Sequence, residues 1–196
     1  MKIVDLTMPI DEKTPVFPGD TKQEIVQVRT IEKNGWNEKR LTFNSHFSTH
    51  IDAPVHMLEN GKKLDDYPIE HFIGEAIVVN AGSNFSEVKQ GDMGFVYTGH
   101  TKKAYSPDFY RDNPTLTEDM AKELVAKGAK IVGIDSYTVD NEPFAIHKML
   151  LKNDILIVEN LINLDKLRGR RFKCYVMPLN IKDADGAPCR VIGVTD

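Results

Sequence analysis

The sequence predicts a mixed α/β fold in which strands outnumber helices. Short runs rich in Val, Ile, Phe and Tyr recur along the 196 residues, and Gly, Pro, Asn or Asp bounds many of them. One strand–helix–strand stretch covers roughly residues 94–134, but helices are too few for a doubly wound parallel sheet. We therefore expect a mixed sheet with few helices, folded as a single domain over residues 1–196.

Nine segments carry the strand signal. They are residues 2–6, 24–30, 39–47, 75–80, 94–98, 130–134, 155–159, 173–179 and 190–194. In the third segment, the apolar residues Leu41, Phe43 and Phe47 stand at odd-numbered positions, whereas His46 stands at an even-numbered one. This alternation predicts a half-buried strand with His46 on its polar face.

The helical signals are fewer. Thr117 is a candidate N-cap followed by two acidic residues and an apolar stripe, and Gly128 is the matching C-cap. A second helix is expected over 143–151, with Pro143 in its first turn. A third, short helical piece is expected near 68–72.

Composition excludes several function classes. The formal net charge of -4 gives no basic footprint for nucleic acid or an anionic membrane surface. No apolar run approaches the ~18 residues of a membrane helix, and the first residues lack the apolar stretch of a signal peptide. Two cysteines, Cys174 and Cys189, make no disulfide scaffold. We expect a cytoplasmic protein whose partner is a small molecule.

The segment 46–56, with the sequence HFSTHIDAPVH, is the most informative in the chain. It holds three of the six histidines, His46, His50 and His56, together with Asp52. Neutral imidazole and carboxylate are the ligands that zinc and manganese take from proteins. A structural zinc site is closed by four ligands, often Cys, so this set indicates a catalytic metal centre.

The spacing of the segment restricts its conformation. In a straight strand at ~3.3 Å per residue, His46 and His50 would lie ~13 Å apart, too far to share an ion. The chain must therefore turn between them, and a single helical turn would suffice. Beyond the turn, His50 and Asp52 share a face if the chain is extended, and Pro54 favours a loop. Asp52 has two oxygens and could bridge two ions.

Two further candidates lie about a hundred residues downstream. His147 sits among apolar helix positions, so a core-edge histidine is the competing interpretation. Glu159 ends an apolar run, where a carboxylate is costly unless paired or bound to metal; capping a turn or pairing with an Arg are its alternatives.

At these residues the chain resembles a known family. The segment 46–56 is similar to the His-x-Gly-Thr-His-x-Asp-x-Pro-x-His signature of the cyclase-like metal-dependent hydrolases, which include bacterial kynurenine formamidase (an arylformamidase) and isatin hydrolase. The likeness extends over most of the chain. It also includes residues 5–7, 14–20, 97–99 and 133–136 and the spacing between His147 and Glu159.

The resemblance implies two divalent metal ions, with zinc expected and manganese the alternative. Carried over residue by residue, His46, His50 and Asp52 would bind the first ion. Asp52 and Glu159 would bridge to the second ion, and His147 would be the remaining ligand of that ion. The implied fold is the swivelling β/β/α domain of the family, assembled as a homodimer or homotetramer.

The resemblance also implies a reaction. His56 would be the catalytic acid/base, and a metal-activated hydroxide would cleave a non-peptide C–N bond (amide, formamide or lactam) of a small molecule. A metal-dependent cyclase or lyase acting on a small hydroxy or carboxylic acid is the first alternative. A metal-binding protein without turnover is the second.

Two positions depart from the family pattern. Ser48 stands where the family has Gly, in the turn deduced above, where Gly would permit φ > 0; Ser can adopt the needed conformation if it is αR or β, and we expect the site to survive. Phe17 stands where the formamidases carry a Trp that contacts substrate. We therefore expect Phe17 to line the substrate pocket, with Trp36 a second aromatic candidate.

Overall fold

The computed structural model describes residues 1–195, which form one eight-stranded sheet, a separate two-stranded ribbon and three α-helices. The strands are β1 (Lys2–Asp5), β2 (Glu24–Arg29), β3 (Glu38–Thr42), β4 (His50–Asp52), β5 (Ile73–Asn80), β6 (Met93–Tyr97), β7 (Ile131–Ile134), β8 (Leu156–Glu159), β9 (Arg171–Pro178) and β10 (Gly186–Thr195). The helices are α1 (Ile31–Asn34), α2 (Glu118–Lys127) and α3 (Ala145–Lys152). The predicted mixed sheet with few helices is confirmed.

The large sheet closes into a barrel-like ring. Its order is β1-β10-β4-β8-β7-β6-β5-β9, and an additional pairing of β9 with β10 joins the two ends. The β5–β6, β6–β7 and β7–β8 pairs are parallel, whereas β4 pairs antiparallel with both β8 and β10. Because α2 and α3 connect the parallel strands, they cover one face of this part of the sheet.

Packing explains why the central strands read as continuous apolar runs. Every residue of β7 and β8 is buried, including Glu159 at the end of β8. A strand buried on both faces cannot alternate apolar and polar residues. One apolar cluster lies inside the ring, and a second lies between the sheet and the two longer helices.

The predicted helix after Thr117 is confirmed, and the helix predicted over 143–151 starts later than expected. Thr117 accepts a hydrogen bond from the Met120 amide, and Gly128 closes α2 at a φ of 68°. The second helix, α3, begins at Ala145, so the expectation that Pro143 lies in its first turn is wrong. The Asp140 carboxylate, not a proline turn, accepts the free amides at this N-terminus. The short piece near 68–72 is a 3₁₀ turn, Ile69–Phe72.

The strand predicted over 39–47 is the main error. The strand ends at Thr42 in β3, and all five of its residues are exposed, so the half-buried alternation is wrong. The reason is that β3 pairs only with β2, in a ribbon outside the main sheet. Phe47 is buried and stacks on Phe43 with ring centroids 5.3 Å apart, but within an irregular segment.

Two strand boundaries at the site also differ from expectation. The three-residue strand β4 was not predicted as a strand, and β10 begins four residues before the predicted 190–194. Both are held by pairing across the sheet, which no local pattern reveals. Among residues 1–195, none of the helices has the length and apolar character that crossing a membrane requires.

Candidate metal centre

A cavity of about 470 Å³ opens where β4, β8 and the N-terminal end of α3 meet. It is lined by Pro15, Phe17, Asp20, Asn44, Ser45, His46, Ser48, His50, Asp52, His56, Met57, Tyr110, Tyr137, Thr138, Phe144, His147, Glu159 and Asn160. All seven residues predicted as metal ligands, acid/base or substrate contact are among them. The structure therefore brings together residues that lie more than a hundred positions apart in the sequence.

Strand pairing places three of the predicted ligands side by side. His50 lies opposite Glu159 in the antiparallel β4–β8 ladder, and Asp52 follows two residues later on the same face. His50 Nε2 is 3.3 Å from Asp52 Oδ1 and 3.5 Å from Glu159 Oε2. His50 Nδ1 donates to the Ser48 carbonyl at 2.9 Å, so Nε2 is left to face the two carboxylates.

The predicted turn between His46 and His50 exists, but it is not helical. Ser48 has a φ of 59°, so the conformation is neither αR nor β but lies in the left-handed region that Gly adopts more readily. The turn brings the His46 and His50 rings to a centroid separation of 5.2 Å. His46 Nδ1 then lies 2.7 Å from Asp52 Oδ1. The Ser48 hydroxyl donates to the Met8 carbonyl at 2.9 Å, which anchors the turn to the N-terminal segment.

Helix α3 brings His147 to the opposite side of Asp52. His147 Nε2 is 3.3 Å from Glu159 Oε1 and 3.7 Å from Asp52 Oδ2. Its Nδ1 donates to Asp140 Oδ1, while Asp140 Oδ2 accepts the Ile146 and His147 amides. One carboxylate thus caps the helix and fixes the imidazole.

One atom at the centre of the cluster has no partner. Among the described residues, Asp52 Oδ2 is buried and accepts no hydrogen bond, and its 3.7 Å separation from His147 is too long for one. A buried carboxylate oxygen left in this state is costly unless a cation satisfies it. Imidazole and carboxylate donors on both sides of Asp52 fit a divalent ion.

The electrostatics of the cluster show strong pairing between its groups. Burial alone would lower the pKa of His147, but the hydrogen bond with Asp140 and the nearby carboxylates of Asp52 and Glu159 raise it to about 12. Burial likewise opposes a charge on His46, yet Asp52 and the hydrogen bonds to Asp185 and Asp52 raise its pKa to about 10.

The two carboxylates shift in the complementary direction. Burial would raise the pKa of Asp52, but the adjacent imidazoles of His46 and His50 hold it well below its usual range. The pKa of Glu159 is lowered by hydrogen bonds with His147 and His50, also against the effect of burial. The carboxylates are therefore anionic and ready to ligate a cation.

His56 occupies the edge of the cluster. It ends the 3₁₀ turn Pro54–His56, which Ala53 joins to the end of β4. Its ring lies 3.9 Å from that of His46, tilted by 34°, and its side chain is 26% exposed to the cavity. Burial lowers its pKa. His56 also has a ring nitrogen within 4.8 Å of donor atoms of His46 and Asp52, so geometry alone permits it to be a ligand.

Aromatic side chains form the opposite wall. The Phe17 ring lies 6.0 Å from Tyr110, edge to face, and 5.9 Å from Tyr137. Tyr110 and Tyr137 are themselves 4.9 Å apart. Trp36, the second aromatic candidate, lies beside the exposed ribbon instead and is 56% exposed. Among the described residues, no Lys or Arg lines the cavity.

Sequence reasoning missed several contributors. Tyr110 and Tyr137 lie in loops with no periodic signal. Asp185, just before β10, has Oδ2 3.0 Å from His46 Nε2. No local motif marks any of these, although an acidic residue beside Gly186 at the start of a strand is a weak turn signal.

Comparison with known proteins shows the family. The Cyclase family model, described as "Putative cyclase", matches residues 4–141. The chain belongs to this family.

Two relatives support the assignment over the full length. A kynurenine formamidase from Bacillus anthracis is 30% identical over 206 residues, covering 97% of this chain and 96% of the relative. A kynurenine formamidase from Bacillus mycoides (strain KBAB4) is 31% identical over 203 residues, covering 96% of this chain and 95% of the relative.

Solved structures share the fold. A protein described as a "potential metal-dependent hydrolase with cyclase activity" has a TM-score of 0.82 at 26% identity, covering 98% of this chain and 96% of that one. An isatin hydrolase bound to the product analogue thioisatinate has a TM-score of 0.89 at 20% identity, covering 99% of this chain and 92% of that one. The cyclase-like fold predicted from the resemblance is confirmed.

Proposed function

We propose that this chain is a divalent-metal-dependent hydrolase that cleaves a non-peptide C–N bond, an amide, formamide or lactam, in a small molecule. The observation that carries the proposal is the unpartnered Asp52 Oδ2 at the centre of a cluster of imidazoles and carboxylates. The kynurenine formamidases among its relatives support the choice of bond.

The cluster has donors for two ions on opposite sides of Asp52. We assign the first to His46, His50 and Asp52, and the second to Asp52, His147 and Glu159. When bound, such ions polarise a carbonyl and lower the pKa of water from 15.7 toward ~7. Zinc is the proposed metal and manganese the alternative, since His and carboxylate serve both. Elemental analysis of protein purified without chelators decides between them.

We assign proton transfer to His56. Its ring is partly exposed to the cavity and lies against His46. From this position it can take a proton from the attacking water and deliver it to the departing nitrogen, which must be protonated to leave as an amine. The ions that the neighbouring ligands would hold would polarise the carbonyl end of the substrate, and His56 would serve the leaving-group end.

The aromatic wall supports an aromatic substrate. Phe17, Tyr110 and Tyr137 line the cavity and pack their rings against one another, and such clusters favour a further ring in an offset or edge-on arrangement. A planar N-aryl amide or lactam would place its ring against this wall and its carbonyl towards the ions that Asp52 would help to hold.

A substrate panel tests the proposal. N-formyl aryl amines, aryl lactams and small hydroxy acids are incubated with metal-loaded protein, and the products are identified by mass. Gain of one water, with release of an amine from a formamide or with ring opening of a lactam, supports hydrolysis of the C–N bond. Loss of water or ring closure would instead identify the cyclase or lyase alternative. Full metal occupancy with no conversion of any compound would favour a metal-binding protein without turnover.

We also propose that the chain forms a homodimer, with a homotetramer as the alternative. The β2–β3 ribbon lies outside the main sheet and exposes Val26, Leu41 and, beside it, Ile31 and Trp36. A second copy would bury this apolar surface. Light scattering measures the mass in solution. The cytoplasm is the proposed location, which cell fractionation tests.

A further inference from the structure

Asp185 lies in a segment fixed against the metal centre by backbone contacts. The Ala53 amide donates to the Asp185 carbonyl at 2.8 Å. The next residue, Gly186, pairs with Asp52 in the β10–β4 ladder. A Cβ on Gly186 would lie 2.6 Å from His46 Cε1, so only glycine lets the backbone pass this close to the imidazole. The backbone around Asp185 is thus shaped to the His46 ring.

The Asp185 side chain contacts three groups at the edge of the cavity. Its Oδ2 is 3.0 Å from His46 Nε2 and 3.3 Å from Ser45 Oγ, which donates to it. The same oxygen is 3.9 Å from His56 Nδ1. The carboxylate is 47% exposed, so it holds its charge without a large desolvation cost.

These contacts define the orientation of His46. Its Nδ1 faces Asp52 Oδ1 at 2.7 Å, on the side of the metal cluster, and its Nε2 faces Asp185. An imidazole that ligates an ion through one nitrogen donates through the other, and a carboxylate receiving that N–H fixes the tautomer and the ring plane. Asp140 has the same relation to His147 on the other side of Asp52.

The position of His56 depends on the same arrangement. The His46 and His56 rings are in contact at 3.9 Å between centroids. Asp185 Oδ2 lies near a nitrogen of each ring, 3.0 Å from His46 Nε2 and 3.9 Å from His56 Nδ1. A change in the plane of His46 therefore displaces the surface on which His56 rests.

We propose that Asp185 is a positioning residue that holds His46 in its ligating orientation and, through His46, keeps His56 in line with the substrate. The inference rests on the proposed function. It adds to it a residue that acts on both the first ion and the proton-transfer group, without touching the substrate.

Two substitutions and a matched control test this role. Asp185→Ala removes the acceptor, whereas Asp185→Asn retains an oxygen that can still accept from His46 Nε2. Asp183→Asn is the control, because Asp183 lies in the same turn and pairs with Lys63 on the surface, away from the cavity. Asp183 has a φ of 58°, and Asn tolerates this conformation well.

The first readout is metal affinity without substrate, measured by competition with a chromophoric chelator. We expect Asp185→Ala to weaken binding of one ion by about 10–100-fold, the usual effect of losing such a partner, and to leave the other ion unchanged. Asp185→Asn should recover part of the loss, and Asp183→Asn should match the wild type.

The second readout is the split between kcat and KM on a substrate found in the panel. We expect kcat to fall in Asp185→Ala at saturating metal while KM stays close to wild type, because the aromatic wall is untouched. Unchanged metal affinity in Asp185→Ala would overturn the inference. So would the permanent absence of one ion at saturating metal, which would make Asp185 a ligand, or an equal loss in Asp183→Asn. Since affinity is measured without substrate, a failure of the hydrolase proposal would be seen separately.

Discussion

At the scale of single residues, the site depends on how each imidazole is oriented. His50 donates to the Ser48 carbonyl, His147 to Asp140, and His46 faces Asp185. In each case one ring nitrogen is occupied, so the other is directed at the central carboxylates. The ligands are thus positioned before any ion binds, so their side chains lose less conformational freedom when an ion binds.

His56 gives the sharpest residue-scale prediction. Replacing His56 with Ala should lower kcat by about 10²–10⁴-fold, because proton transfer to the leaving nitrogen is lost. The metal content should remain that of the wild type. Elemental analysis and turnover are measured on the same preparation. A variant that loses one ion would show that His56 is a ligand instead.

Ser48 allows a second residue-scale prediction about stability. Ser48→Ala retains the left-handed strain and loses the hydrogen bond to Met8, which should cost about 1 kcal/mol of unfolding free energy. Ser48→Gly loses the same bond but relieves a strain of roughly 1–2 kcal/mol, so it should be the more stable of the two. Urea denaturation measures both. A less stable Gly variant would contradict the strain argument.

At the scale of elements, α3 links stability to metal binding through Asp140. Asp140 caps the helix through two amides and also fixes His147. Asn caps a helix about as well as Asp, whereas Ala does not. Comparing the two substitutions therefore isolates the contribution of the cap to stability.

We expect Asp140→Ala to lose about 1 kcal/mol of unfolding free energy and Asp140→Asn to lose little. The affinity of the second ion should fall by about 10–100-fold in Asp140→Ala, since His147 is no longer held. Chelator competition and urea denaturation on both variants give the two quantities. Equal stability of the two would argue against capping by Asp140.

The elements that could be predicted from sequence are those with strong local signals. The buried strands β7 and β8 and the capped helix α2 have such signals. β4 has three residues, two of them polar, and exists because β8 and β10 pair with it on either side. The apolar alternation of residues 41–47 begins in the ribbon strand β3, but no layer covers this strand. The existence of β4 and the exposure of β3 depend on tertiary contacts, which local sequence patterns do not reveal.

At the scale of the whole molecule, the ring-shaped sheet gathers ligands from distant segments. The segment 46–56, β8 and α3 meet at Asp52, whereas the two apolar clusters lie on either side of the sheet. The clustering of the first three histidines could be read from their density in sequence. The approach of His147 and Glu159 could be read only from the resemblance to a family, and that of Asp185 not at all.

Removing the metal should lower stability without unfolding the sheet. An ion that binds only the folded state adds about 4 kcal/mol when its free concentration is ~1,000 times its Kd. We therefore expect a chelator to lower the urea midpoint clearly while the far-ultraviolet circular dichroism at zero urea stays native-like. An unchanged midpoint would mean that no ion is bound by the native state.

The central claim is that Asp52 is shared by two divalent ions. The most direct test is the metal-to-protein ratio after dialysis against zinc, for the wild type and for Asp52→Asn. We predict two equivalents in the wild type and a loss affecting both sites in Asp52→Asn, because each ion has Asp52 among its ligands. Full occupancy of both sites in Asp52→Asn would contradict this account.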